Sequence, residues 1–361
     1  MAATPITITR NTTATQFTTN QTQSRNGGGT TTFVGTTTGA GPTLVPISRF
    51  DTNTGILVDA RMSVNIPITL ALTARGTVPA SGRNRRVDVA STVSGSVALA
   101  GASLTSTTFA VTERCDNGAC LVPTAGNTTS SARTLNGSAA ISAANLALLA
   151  GAGTGTVNFT TAVNAANTAI INRSNVITGF ADTRFTVGGA TTANNSYSVA
   201  YDYVNFANPS FNNSSTVTSS SLDFGTLALN SGLATLNFSI TNIGNINSAG
   251  LSLTSISRST NNSQLTSTIT TFTNGLDGGF TNNYSLNFNP LSVGAVNDIF
   301  TFNFIDFAPA GSVGARSHQL NLAVSGNVFD PVPEPASWMF MLLGFGLVGT
   351  VARRRAVGQP G

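Results

Sequence analysis

Only 8% of the 361 residues are charged, against about a quarter in ordinary soluble domains, so solubility must rest on amides and hydroxyls. All 17 basic residues are arginine, but residues 1–352 hold 14 of them against 13 acids, which excludes the basic face a duplex-binding protein needs to displace counterions. Hydrophobic residues at 40%, with 21 Phe, exclude a disordered polar tract.

The chain opens on MAATPITITRNTTATQF, which lacks the charged start, the apolar run of roughly 7 to 15 residues and the small-residue cleavage point of an export signal. Such a signal is therefore expected upstream of Met1 or removed ahead of it, with true cytoplasmic residence as the third reading. From Ile6 to Phe206 apolar and polar residues alternate between Gly and Asn breaks, the pattern of strands with one face on a core. The helical candidate here is SAANLALLAGAG, Ser142 to Gly153, bounded by Gly and short. RNRR at Arg83 to Arg86 is locally basic and reads as a solvated loop tip. The pieces ISRFDTNTGILVDARMSVNI, GAGTGTVNF and YSVAYDYVNF resemble choice-of-anchor E domains, and residues 1–206 are expected to form one β-rich, sandwich-like domain.

Cys115 and Cys120 enclose DNGA, a turn-forming loop that can bring two side chains across a hairpin. Zinc would want two such pairs or added histidines, and His318 is the only histidine, so no metal site is expected. A disulfide suits an oxidising compartment; two free thiols are the alternative. Glu113, Asp116 and Asn117 lie close by but lack the spacing of a calcium loop. Tyr197, Tyr201 and Tyr203 fall on one side of a strand, where they serve either as a small sugar platform or as core packing.

Residues 207–220, ANPSFNNSSTVTSS, read as a linker. Beyond it, strands are expected to begin near Leu222, Ala234, Leu251, Leu265, Tyr284, Ile299 and Gln319, with turn residues between them. Seven strands at this spacing fit a seven-stranded Ig-like β-sandwich over residues 221–329. The run from LDFGTLALNSG to LTSI, with FNPLSVG and LNLAVSGNV, resembles Ig-like surface modules related to the ASPM-SPD-2-Hydin group and to choice-of-anchor D domains. In that resemblance Asn242, Gly244, Phe288 and Pro290 are structural turn residues. His318 opens the last strand as a polar end group; no G-x-S-x-G elbow accompanies it, and the 13 acids offer no preferred catalytic pair. No enzyme, catalytic residue or cofactor is expected.

Residues 330–335 form a Pro-rich spacer, Ala336 to Ala352 is free of charge, and Arg353, Arg354 and Arg355 follow in a basic tail to residue 361. Gly344, Gly346 and Gly349 spell G-x-G-x-x-G, yet only 12 residues follow and none is acidic, so the dinucleotide reading fails for want of its acidic partner. The run fits a single transmembrane helix over 336–352, with Trp338 as interfacial anchor and the arginines as a cytoplasmic stop.

Val332-Pro333-Glu334-Pro335, the Trp338 spacer, the Gly-rich apolar run and the arginine cluster together resemble the PEP-CTERM sorting signal of Gram-negative bacteria. The resemblance implies export, a stay in the inner membrane with the C-terminus cytoplasmic, and recognition of Pro333, Glu334 and Pro335 by an exosortase-type membrane protease. Release to the cell surface or extracellular matrix follows. The expected role is structural or adhesive, in exopolysaccharide or biofilm; the alternative is a carbohydrate-binding or carbohydrate-cleaving protein acting on the same matrix. Extracellular polysaccharide and the protease are the expected partners.

Overall fold

The structure, a computed structural model, describes residues 4–12, 16–23, 31–36, 43–76, 85–105, 109–116, 127–173, 183–190, 195–272, 275–331 and 335–356. The chain divides into two compact units, one of residues 1–206 with 246–249 and 307–316, the other of residues 207–245, 250–306 and 317–361.

The first unit is built of strands, as the period-two pattern requires. In chain order they are β1 (Thr4–Thr12), β2 (Gln16–Gln23), β3 (Thr31–Thr36), β4 (Thr43–Ser48), β5 (Phe50–Asp51), β6 (Ile56–Gly76) and β7 (Arg85–Leu99). There follow β8 (Ala102–Thr105), β9 (Phe109–Asp116), β10 (Asn127–Ala140), the four-residue helix α1 (Leu146–Leu149), β11 (Ala150–Gly151), β12 (Thr156–Arg173), β13 (Thr183–Ala190) and β14 (Asn195–Val204). One sheet runs β1-β14-β6-β13-β2 with β10 also on β6; the other runs β3-β12-β7-β8 with β4 on β12 and β9 on β7.

Three long strands organise both sheets by taking partners in succession along one edge. Strand β6 holds β14 along residues 56–65 and β13 along 69–76, with β10 on its other edge. Strand β12 likewise takes β4 and then β3, and β7 takes β9 and β8.

The core follows the alternation. Ala60, Met62, Val64 and Ile66 of β6 are buried, together with Leu99, Phe159 and Leu146 of α1. Gly55 lies against β14 so closely that an added Cβ would sit 2.6 Å from the Val204 carbonyl oxygen, so a side chain there would push the strands apart. Arg316 lays its guanidinium 3.8 Å above the Phe206 ring, a cation–π contact.

The second unit begins inside the expected linker. Strand β15 (Pro209–Ser210) pairs with β17, Ala207 is buried in the core, and the buried Ser210 hydroxyl donates to the Ser215 carbonyl at 2.7 Å. The remaining strands are β16 (Ser219–Ala228), β17 (Ala234–Asn242), β18 (Gly250–Arg258), β19 (Leu265–Ser267), β20 (Thr281–Phe288), β21 (Gly294–Phe307) and β22 (Ser317–Phe329). They form two four-stranded sheets, β15-β17-β20-β19 and β16-β22-β21-β18. The described strands of this unit thus number eight, and β16 lies parallel to β22.

Aromatic rings dominate its core. Phe238 stacks on Phe302 at 5.9 Å and meets Tyr284 at 5.7 Å, while Phe224 meets the edge of Phe288 at 5.2 Å. Such pairs add roughly 0.5–1.5 kcal/mol each beyond the area they bury. The Asn-x-Gly turn is fixed by Asn242, which is fully buried. Its amide nitrogen donates to the Leu276 carbonyl at 3.0 Å and its oxygen accepts the Asn208 N–H at 2.9 Å. Gly278 packs under this turn, where a Cβ would fall 2.0 Å from the Asn245 carbonyl oxygen.

Helix α2 (Pro335–Ala356) closes the described chain. Among the described residues no helix is long and apolar enough to cross a membrane, so the transmembrane span expected over 336–352 is not found among them.

Candidate functional site

The sorting segment is the strongest functional candidate. Val332, Pro333 and Glu334 lie outside the described residues, and Pro335 is the first residue of α2. Proline is suited to that position, since its missing N–H would have no partner in a first helical turn. No acidic residue stands in this turn.

The helix is apolar on all sides. Trp338 is 58% exposed, Phe340 76% and Leu342 72%, and Phe345, Leu347, Val348 and Val351 are exposed as well. A helix apolar all round belongs in a protein core or a membrane, and among the described residues none of this helix belongs to the core of the second unit. Gly344, Gly346 and Gly349 have open space where a Cβ would stand and sit within one continuous helix, not at the strand-to-helix turn a dinucleotide loop requires. Thr350 returns its hydroxyl to the Leu347 carbonyl at 2.8 Å, so its polar atom is satisfied within the helix. Arg353 is exposed, and Arg354 and Arg355 continue the helix to Ala356.

The other expected positions are placed as follows. Cys115 stands on β9 opposite Val87 of β7, whereas Cys120 lies outside the described residues. Arg85 and Arg86 begin β7 opposite Arg173 and Asn172 of β12; Arg83 and Asn84 lie outside the described residues. Glu113 and Asp116 pair through β9 with Val89 and Arg86, and Asn117 lies outside the described residues. Among the described residues no group of three or more His, Cys, Asp or Glu could hold a metal ion.

The tyrosine row faces inward. Tyr197 and Tyr201 are buried and Tyr203 packs against the same core; Phe159 meets Tyr197 at 5.3 Å and Phe50 meets Tyr201 at 6.0 Å. The platform reading is thereby corrected: alternation put the three rings on one side, and that side is the core. The Tyr201 hydroxyl donates to the Ser48 carbonyl at 2.8 Å, and burial pushes its pKa up to about 12, with Arg49 opposing. Tyr201→Phe should lower the stability of the first unit by about 1–2 kcal/mol, by orphaning a carbonyl. A folded pKa above the unfolded value contributes stability that is complete below pH 10 and lost as pH rises towards 12. Denaturant titrations should therefore show wild type losing stability in that alkaline window, with the phenylalanine variant spared the loss.

His318 places Nε2 2.8 Å from Asp306 Oδ1, and the same oxygen accepts the Ala207 N–H at 2.9 Å. The pair ties β22, β21 and the approach to β15 together. This is a strand-fastening role, and the carboxylate is fully buried.

One array escaped the sequence reading. On the face of the β17–β20 pair turned away from the aromatic core, every opposed couple is joined by side-chain hydrogen bonds: Thr235 to Asn287 at 2.9 Å, Ser285 to Asn237 at 2.9 Å, Ser239 to Asn283 at 2.7 Å and Thr241, itself buried, with Thr281 at 2.8 Å. The signal was present as hydroxyl and amide residues at alternate positions of both strands, hidden because polar alternation reads simply as a wet face.

Comparison with known proteins adds one match of substance. Residues 331–356 match the PEP-CTERM protein-sorting motif. No curated protein matches the chain. A solved structure titled Structure of Vibrio cholerae VesB protease is similar at 15% identity and a TM-score of 0.25, covering 36% of this chain and 37% of its own; the chain spans little more than a third of that structure, and a likeness so slight carries no argument about fold or activity. The matched residues begin four positions before α2 and end with it, and the chain carries in that stretch a PEP-CTERM protein-sorting motif.

Proposed function

We propose that this is a non-catalytic exported protein, processed by an exosortase-type protease and retained in extracellular polysaccharide in a structural or adhesive role. The sorting motif supports export and a membrane-associated stage before processing. The observation that carries the reading furthest is the apolar, uncovered helix α2 with its arginines, placed after two β-built units. Such a helix needs an apolar medium while it is attached, and its removal would leave a body whose surface is mostly amide and hydroxyl. We read the second unit as an Ig-like surface module, in keeping with its two sheets on an aromatic core, and the first as a choice-of-anchor-like domain.

Fractionation tests the destination. In a host with the matching protease and an intact polysaccharide, the shortened protein should co-purify with the polymer and be released when the polymer is digested enzymatically. Recovery of the shortened protein in the medium regardless of polymer would overturn the matrix role. A Leu342→Arg change should lower retention of the full-length form in the membrane fraction, since an unpaired charge is costly to bury in an apolar medium.

A further inference from the structure

We infer that the outer face of the β17–β20 sheet is a binding surface for a neutral polysaccharide. It deepens the matrix reading and rests on it only for where such a polymer would be met.

The chemistry starts from the rungs. In three of the four, a Ser or Thr hydroxyl donates to an Asn carbonyl. That leaves the two N–H bonds of the amide and the lone pairs of the hydroxyl available to a ligand. Each of these three rungs therefore presents donors and acceptors side by side, the complement of a vicinal diol. The side chains are already held in place by their partners, so little rotamer freedom remains to be lost on binding.

Charge selects the ligand class. All eight positions of the face are uncharged, so a polyanion gains no counterion release there, while a neutral polyol loses nothing. Repeats of about 6.8 Å along the strands and 4.8 Å across them give the three hydroxyl–amide rungs a strip about 14 Å long, which suits an extended polymer better than a compact small molecule. Phe280, 63% exposed, adjoins Thr281 at one end of the strip and offers an apolar surface for the C–H face of a sugar ring. The opposite sheet has only part of this pattern. Thr301 to Asn321 and Gln319 to Asn303 are bonded there, but the exposed Ile299 and Ile305 interrupt the row.

The test uses the purified full-length chain in detergent, so a failure of sorting in cells has no bearing on it. Retention is measured on a cross-linked neutral glucan and, separately, on alginate. Wild type should be retained by the glucan equally at low salt and at roughly 0.5 M NaCl, where exposed charges are screened. Joint Asn237→Ala and Asn283→Ala substitution should weaken retention about tenfold with an unchanged thermal midpoint. Asn237→Lys, which removes no core atom, should do the same, and Asn321→Ala on the other sheet should not. Equal glucan retention by all forms would overturn the inference. So would binding confined to alginate and abolished by salt, or a dimer dispersed by the same substitutions with no retention on the glucan.

Discussion

Glu334→Gln and Pro335→Ala should each leave the full-length protein accumulating in the membrane fraction of a host with the matching exosortase, while wild type appears shortened and outside. A protease that acts beside a bilayer must read an extended segment, which the prolines of the tripeptide favour. Pro335 has no N–H to donate and disfavours helical backbone at the position before it, so α2 starts where it does. Alanine at 335 removes both restraints and lets the helix grow backwards through the recognition residues. Glutamine at 334 keeps the shape and removes only the charge, so the two variants separate geometry from electrostatics. A host lacking the protease should show the full-length form for all three proteins. Shortening and release of both variants at the wild-type level would reduce the tripeptide to a rigid spacer and leave α2 as an ordinary apolar tail.

Much of the second unit was legible in advance because its strands are short and each carries its own alternation. Expected starts at Ala234 and Leu265 coincide with those of β17 and β19, and the other five strands begin one to five residues earlier than expected. Strand β15 was not legible, for two residues have no period, and its place is set by Asn242 and Ser210, whose bonds reach across the fold. The first unit was readable as β and no further. Alternation shows which face of β6 is buried, but nothing local shows that one edge of a 21-residue strand is shared by β14 and β13 in succession.

The functional residues divide in the same way. The sorting segment is local, four features in order within 26 residues, and such a signal survives without any tertiary information. The tyrosine row and the hydroxyl–amide ladder have the same period, and only the packing of neighbouring strands decides which row is core and which is surface. Tyr201 went inward because Phe50 and the Ser48 carbonyl await it; Asn237 went outward because Phe238 beside it belongs to the aromatic core.

Asp298 on β21 should be among the costliest polar side chains to remove from the second unit. Its carboxylate is fully buried and accepts from the Arg258 guanidinium at 2.6 and 2.9 Å, from the Ser259 hydroxyl at 3.0 Å and from the Thr260 N–H at 3.0 Å. Arg258 in turn donates to the Asn262 and Leu265 carbonyls and lies 4.5 Å from the Phe300 ring centre, so one carboxylate fastens β18, β21 and the turn leading to β19. Burial alone would raise its pKa. The Thr260 N–H, the guanidinium and the Ser259 hydroxyl outweigh burial and hold it at about 2, below the ordinary 3.8. A folded pKa lower than the unfolded one contributes stability that is complete above pH 3.8 and lost as pH falls towards 2, roughly 2 kcal/mol in all. Asp298→Ala strands the arginine in a half-closed site and should cost about 3–5 kcal/mol at neutral pH; Asp298→Asn, which keeps the shape, should cost less and remove the acid dependence. Urea titrations of the full chain at pH 7 and at pH 2.5 check both. Equal loss of stability on acidification in wild type and the asparagine variant would show that the acid sensitivity lies with other carboxylates and that the Arg258–Asp298 pair contributes only shape.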